Sequence, residues 1–323
     1  MEGAPNNPAT NKLGHGLTEA ALQAAVSNSG YPLQAVVAGR LRPRFNVSQE
    51  WAYLDSDSGD LRTMDILAER MMWLDVPEQP RVRPEIDLII ECKRSDLPYV
   101  FFLGEGFGLH TFPFLCGLFS DHLKMMTDDS RDSWNLPIQM VLGLDSLAFA
   151  TEPKCCMSFS KCVRQGKDIE LSGEEVFNKA VLPVVKAMKH FRKMKVPPKT
   201  AAYFDLHLVI GLVVIDAPMV GVHVSDESHD LMLMPWVRIV RHEGDKKDTD
   251  DQNRRPDDAG FYTIDFVHAD FLPTYLDKHL MPFAEKFSRL AMKHDRALGS
   301  GKAFAKGLRK NSYNNIEPRL KPK

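Results

Sequence analysis

Ile86-Asp87-Leu88-Ile89-Ile90-Glu91-Cys92-Lys93 decides how the chain is read. The run is apolar enough for a buried strand, yet it ends on an acid and a lysine two residues apart. Side chains at i and i+2 of a strand share a face, so Ile89, Glu91 and Lys93 point one way and Leu88, Ile90 and Cys92 the other. Burying either charge alone is costly. A divalent cation on Glu91, with Lys93 aimed at a bound phosphate, explains why both stand there. The bland alternative is a strand-end salt bridge, which adds little at a surface. Glu85 and Asp87 flank the pair, and Asp87 lies on the face of Glu91.

Upstream, Trp51 to Asp55 reads as a strand, Ser56-Asp57-Ser58-Gly59-Asp60 as a turn and Leu61 to Arg70 as a second strand. Asp65 interrupts that second apolar run. If the two strands are neighbours, Asp65 and Glu91 converge on one Mg²⁺. Magnesium prefers oxygen ligands and retains waters, so two carboxylates and a phosphate oxygen suffice. The ion would acidify a bound water and neutralise charge in the transition state. Lys93 would orient or help deprotonate that water, or stabilise the developing charge. The competing partners for Asp65 are Arg62 and Arg70. Farther upstream, Gly16 to Asn28 has helical spacing, with Thr18 as a cap and Ser27 to Gly30 as a stop. Glu19 in its first turn is placed to bind the metal through water or to hold a second ion; the same position also favours the helix dipole. Tyr31 to Leu41 is mostly apolar and runs into the basic patch Arg40, Arg42 and Arg44.

Downstream, the pattern predicts strands near 98–103, 136–150, 155–162, 203–216, 231–241 and 261–268, and helices near 174–193 and 271–297. Residues 242–260 are dense in Asp, Lys, Arg and Asn and read as a surface loop. Gly299-Ser-Gly-Lys302 lacks the Walker spacing, and Gly104-Glu-Gly-Phe-Gly108 lacks the dinucleotide spacing, so the latter reads as a turn. The 11 histidines, His207 among them, show no ligand spacing, and Cys155, Cys156 and Cys162 have no zinc partners.

The composition is that of a globular chain: 323 residues, 44% hydrophobic, 26% charged, net charge −2. That length favours two domains. The charge is uneven. Residues 281–323 carry eleven Lys/Arg against three acids, whereas residues 1–110 carry ten against fifteen. A basic tail beside an acidic domain suits a polyanion approached through metal ions, or is simply a solvated terminus. No run of about 18 apolar residues offers a membrane-spanning helix. Residues 1–11 are polar, read as a disordered tail and lack the layout of a signal peptide. Five cysteines, an odd number, fit a reduced cytoplasm.

A helix bearing Glu (Thr18-Glu19-Ala20-Ala21-Leu22), a hairpin strand bearing Asp (Leu61 to Ala68) and a strand ending Glu91-Cys92-Lys93 together resemble the PD-(D/E)XK nuclease superfamily, nearest its Mrr-like, restriction-endonuclease-like members. The resemblance covers roughly residues 12–110, and Met64 stands where the motif's proline would be. It implies Asp65 and Glu91 as metal ligands, Lys93 as catalytic lysine, Glu19 as the helix acid, and the Cys92 main-chain carbonyl completing the metal shell. The fold it implies is α/β: a mixed four- or five-stranded sheet flanked by helices over 12–110. An α+β accessory domain follows over 111–297, then a basic tail over 298–323. Beyond Gly104 the chain is loosely similar to accessory domains fused to such nucleases in bacterial defence proteins. The activity implied is a Mg²⁺-dependent endonuclease, with Mn²⁺ as substitute, acting on DNA in bacterial or phage-related defence, as a homodimer and with a defence-system partner protein. The alternatives are an RNA-cleaving nuclease, or a nuclease fold kept as a non-catalytic binding or assembly module.

Overall fold

A computed structural model of the chain describes residues 3–73, 79–104, 112–127, 133–242, 261–305 and 320. Strands β1 (Asn46–Leu54), β2 (Leu61–Met71) and β3 (Val82–Arg94) form an antiparallel meander. The predicted β1–β2 turn is present: the Asp55 N–H donates to the Asp60 carbonyl at 2.9 Å, and Gly59 takes φ +76°. Next come β4 (Tyr99–Gly104), β5 (Phe114–Cys116), β6 (His122–Thr127), β7 (Ser133–Pro137), β8 (Cys155–Gln165) and β9 (Asp168–Ser172). The chain then enters β10 (Phe204–Asp216), followed by β11 (Met219–Val224), β12 (His229–Leu233), β13 (Trp236–His242), β14 (Phe261–His268) and β15 (Lys302–Ala305).

Among the described residues, twelve strands share one mixed sheet. Its order is β1-β2-β3-β10-β14-β13-β8-β4-β11-β12, with β5 beside β10 and β9 beside β8; β15, β6 and β7 form a second, small sheet. The long apolar run near 203–216 is the centre of it. β10 lies parallel to β3 in register over all thirteen residues, which sets His207 opposite Glu85 and Val213 opposite Glu91. Strands that are apolar on both faces belong where helices cover both faces, and that is the case here. On one side, helices α1 (Glu19–Asn28) and α2 (Tyr31–Leu41) precede the meander, and α2 packs Leu33, Val37 and Leu41 into a core with Ile66, Leu88, Ile90 and Leu212. On the other, α3 (Leu182–Met194) packs Val184, Val185, Met188 and Phe191 against Ile89, Val209 and Val213. A Cβ at Gly211 of β10 would come within 2.8 Å of the Met188 sulfur and 2.9 Å of Val184, so a glycine is needed for α3 to sit this close. The helix α4 (Met281–Lys293) joins α2 on its face of the sheet. Both α3 and α4 are entered through π-helical turns, Phe177–Val181 and Tyr275–Leu280.

The chain is therefore α/β with a large mixed sheet flanked by helices, larger than the four or five strands expected. A boundary at residue 110 does not divide that sheet, because β10 completes the pairing of β3. Three local readings change. Residues 136–150 are not one strand: β7 ends at Pro137, and helical turns Ile138–Val141, Leu144–Ser146 and Ala148–Thr151 follow, broken by Gly143 at φ +67°. Buried Ile138, Val141 and Leu144 recur every three residues, a helical rather than a strand spacing. The apolar stretch near 231–241 divides into β12 and β13 at Pro235, which has no N–H for a ladder. Residues 3–11, expected to be disordered, form exposed turns. The Gly104–Gly108 turn (from residue 105), the 242–260 loop (from residue 243) and most of the basic tail lie outside the described residues. No helix among the described residues is long and apolar enough to cross a membrane.

Candidate metal centre

The ladder between β2 and β3 ends at Ile66 and Ile90, although both strands continue. Asp65 is the next residue on one strand and Glu91 the next on the other, so the two acids face each other across the opening. There the Cys92 N–H, which has lost its main-chain partner, donates to Asp65 Oδ2 at 2.7 Å. Side-chain alternation also breaks at this point: Met64 packs with Leu67, whereas Ile66 packs in the opposite core. Lys93, half-buried, donates its ammonium to Glu91 Oε1. Asp65, Glu91 and Lys93 thus meet as the sequence predicted. Arg62, the alternative partner for Asp65, pairs with Asp55 instead.

Glu91 is 7% exposed. Burial, with the Asp65 and Glu50 charges adding to it, pushes its pKa up to about 7 against the pull of Lys93. Burial also raises Asp65, while the Cys92 N–H and Lys93 hold it down. Asp55, a few residues away on the β1–β2 turn, shows the opposite balance. It is fully buried, which raises its pKa, but hydrogen bonds from Lys186 at 2.6 Å, the Asp57 N–H and Arg62 at 2.6 Å outweigh that and hold it well below the usual carboxylate range. Asp55 is neutralised by Arg62 and Lys186, whereas among the described residues the Asp65–Glu91 pair has the one ammonium of Lys93. Asp65 Oδ1 and Glu91 Oε2 accept no hydrogen bond from any described residue.

The helix that serves this site is α2. Gln34, 4% exposed, donates its Nε2 to the Asp65 carbonyl at 2.8 Å and to Glu50 Oε1 at 2.7 Å. Glu50 lies opposite Asp65 on β1 and holds φ +52°, a left-handed conformation unusual for glutamate. Glu19 stands at the start of α1, exposed, on a helix with no buried residue. The structure places Glu50 and Gln34 against Asp65. Cys92 turns its thiol into the opposite core, where burial raises the thiol well above its usual pKa. Any part it takes in the site is through its main chain, and the N–H and C=O of one strand residue face the same neighbour. The five cysteines are free, with no disulfide.

A second polar group lies farther down β3. Asp87 and Glu85 meet His207 of β10, which accounts for a histidine that has no ligand spacing along the chain: its partners come from another strand 120 residues away. No protein-family model, curated protein or solved structure matches this chain.

Proposed function

We propose that the chain is a divalent-metal-dependent nuclease that hydrolyses phosphodiester bonds, with DNA as the favoured substrate. The observation that carries this is the meeting of Asp65, Glu91 and Lys93 where the β2–β3 ladder opens, with two carboxylates raised in pKa and short of cationic partners. Mg²⁺ suits that donor set, being a hard ion bound by one or two carboxylates and waters; Mn²⁺ substitutes. When bound, the cation supplies charge neutralisation at the phosphate and a more acidic water. Asp65 and Glu91 are its ligands, and the Cys92 carbonyl, facing the same opening as its N–H, is the third. Gln34 fixes the main chain of Asp65 and the side chain of Glu50, so the ligand strand is held from the α2 side. Lys93 leaves Glu91 to stabilise the anionic phosphate oxygens. The resemblance of the Glu19 helix, the Asp65 strand and Glu91-Cys92-Lys93 to PD-(D/E)XK nucleases points the same way. A homodimer, a defence-system partner protein and a defence-related role are proposals drawn from that resemblance, and a cytoplasmic location is one drawn from the cysteine count.

The test is cleavage of plasmid DNA by purified protein with Mg²⁺ or Mn²⁺, alongside Asp65→Asn, Glu91→Gln and Lys93→Met. Wild type should nick or linearise the plasmid, and each variant should lose at least about 100-fold in rate while keeping its fold, the scale on which removal of one transition-state charge partner is felt. Wild-type protein inert on DNA and RNA with either metal refutes the proposal.

A further inference from the structure

The group at Glu85, Asp87 and His207 is separate from the Asp65–Glu91 pair. Asp87 lies four residues before Glu91 on β3, about 13 Å away at strand spacing. Asp87 is fully buried and His207 is 2% exposed; Glu85 is half-buried. Donor atoms of the three lie within 4.8 Å of one another. His207 Nδ1 stands 2.8 Å from Asp87 Oδ2 and 3.6 Å from Glu85 Oε2. Adjacent ligands on an octahedral ion with bonds near 2.1 Å are separated by roughly 3 Å, so these spacings already approach those of a ligand set.

Two further observations point to a ligand. Asp87 Oδ1 is buried and has no hydrogen-bond partner, an unusual state for a carboxylate in a core. A pocket of about 1030 Å³ opens onto the group, with Glu85 and His207 in its wall. The local charge is unbalanced as well. Glu69, opposite Asp87 on β2, brings a third acid, and Lys195, whose charge acts on Asp87 and Glu85, already donates to Glu69 at 3.4 Å. Burial raises both Asp87 and Glu85, the mark of acids that want a counter-charge. His207 is itself held in place from behind: Gly117 at φ +94° allows β5 to approach β10 so closely that a Cβ there would sit 1.8 Å from the Asp205 carbonyl and 2.9 Å from the His207 ring.

We infer that Glu85, Asp87 and His207 form a second cation site, open to the pocket, that takes a divalent transition ion of the Zn²⁺ or Co²⁺ kind. The imidazole nitrogen sets its preference, since such donors suit these ions and not Mg²⁺. This inference does not rest on the nuclease reading of Asp65 and Glu91.

Full-length protein freed of metal by a chelator is titrated with Co²⁺ in buffer holding excess Mg²⁺, which occupies all-oxygen sites. Binding is followed by equilibrium dialysis and by the visible spectrum of Co²⁺, which responds to a nitrogen ligand. Wild type and Glu91→Gln should each bind one Co²⁺ per chain. Glu85→Gln and His207→Gln should each weaken it at least about 10-fold, because loss of an outer-sphere partner alone weakens a protein-bound ion by about 10–100-fold. Circular dichroism and the thermal midpoint report folding. If His207→Gln fails to fold, Glu85→Gln, at the pocket wall, decides. No Co²⁺ on wild type, wild-type affinity in either folded variant, or loss of the ion in Glu91→Gln overturns the inference.

Discussion

Removing the charge of Glu91 should make the metal-free protein more stable, and the size of the effect follows from its surroundings. The folded pKa is about 7 against an ordinary glutamate value of 4.5. An acid whose pKa is raised by folding binds its proton more tightly in the native state than in the unfolded one. Its contribution to stability is therefore best below pH 4.5, declines as pH rises through 4.5 to 7, and levels off above. Each pKa unit corresponds to about 1.4 kcal/mol, so the ionised carboxylate costs the folded state about 3 kcal/mol at pH 8 and about 1 kcal/mol at pH 5. Glu91→Gln keeps the shape and an acceptor for Lys93 but removes that cost. In thermal unfolding with a chelator present, the variant should melt roughly 4–5 °C above wild type at pH 8, and the gap should shrink toward pH 5. Saturating Mg²⁺ should close or invert the gap, because an ion at 100 times its Kd stabilises only the chain that binds it, by about 2.7 kcal/mol. A Glu91→Gln variant that melts below wild type at pH 8 without metal would show that the Glu91–Lys93 pair is a stabilising strand-end bridge, and the metal reading of the site would fail with it.

The proton on Glu91 competes with the metal, so the Kd for Mn²⁺ measured by calorimetry should rise about 10-fold per unit as pH falls below 7 and be nearly constant from 8 to 9; a flat profile from pH 6 to 8 contradicts the role given to Glu91. Gly117→Ala meets both a positive φ and the Asp205 carbonyl, and should lower stability by at least about 2 kcal/mol in denaturant melts. Asp265→Ala should cost about 3–5 kcal/mol. It strands the fully buried Arg238, which Asp265 binds through two hydrogen bonds of 2.7 and 2.9 Å, and removes the acceptor of the Tyr275 hydroxyl at 2.7 Å. Plasmid cleavage with a stabilising co-solvent should be unaffected by that last change, since Asp265 is remote in the sheet order from β2.

The parts of this arrangement that could be read along the chain are those written in short-range pattern. The β1–β2 turn, the strand bearing Glu91-Cys92-Lys93, the long central strand and the helices near 174–193 and 271–297 are each a local run of apolar spacing with stop signals. Asp65 was legible because it interrupts such a run. What was hidden depends on pairing at long range. The parallel register of β10 on β3 spans some 120 residues and alone brings His207 to Asp87 and Glu85. Gln34 looks like any polar residue on a mostly apolar helix, and only the packing of α2 over the meander turns its amide toward Asp65. Glu19 is marked along the chain by its first-turn position and by the resemblance, whereas α1 itself has no buried residue. The positive φ of Glu50 has no sequence signature, since glutamate does not advertise a left-handed backbone as glycine does.

Lys93 is the residue on which the electrostatics of the Asp65–Glu91 pair turn. In the metal-free chain its ammonium is the cation that the Asp65–Glu91 pair possesses, and it holds the Glu91 pKa near 7 where burial and two neighbouring acids would drive it higher. On the proposed reading, Asp65 and Glu91 would hold a divalent ion, whose greater charge at the same oxygens would release the ammonium from them. Two nearby acids are already taken: Asp216 pairs with Arg94, and Asp55 with Arg62 and Lys186. An incoming phosphate would then be a partner for Lys93. If the proposed function holds, filling the site with metal and readying it for a phosphate would be one event.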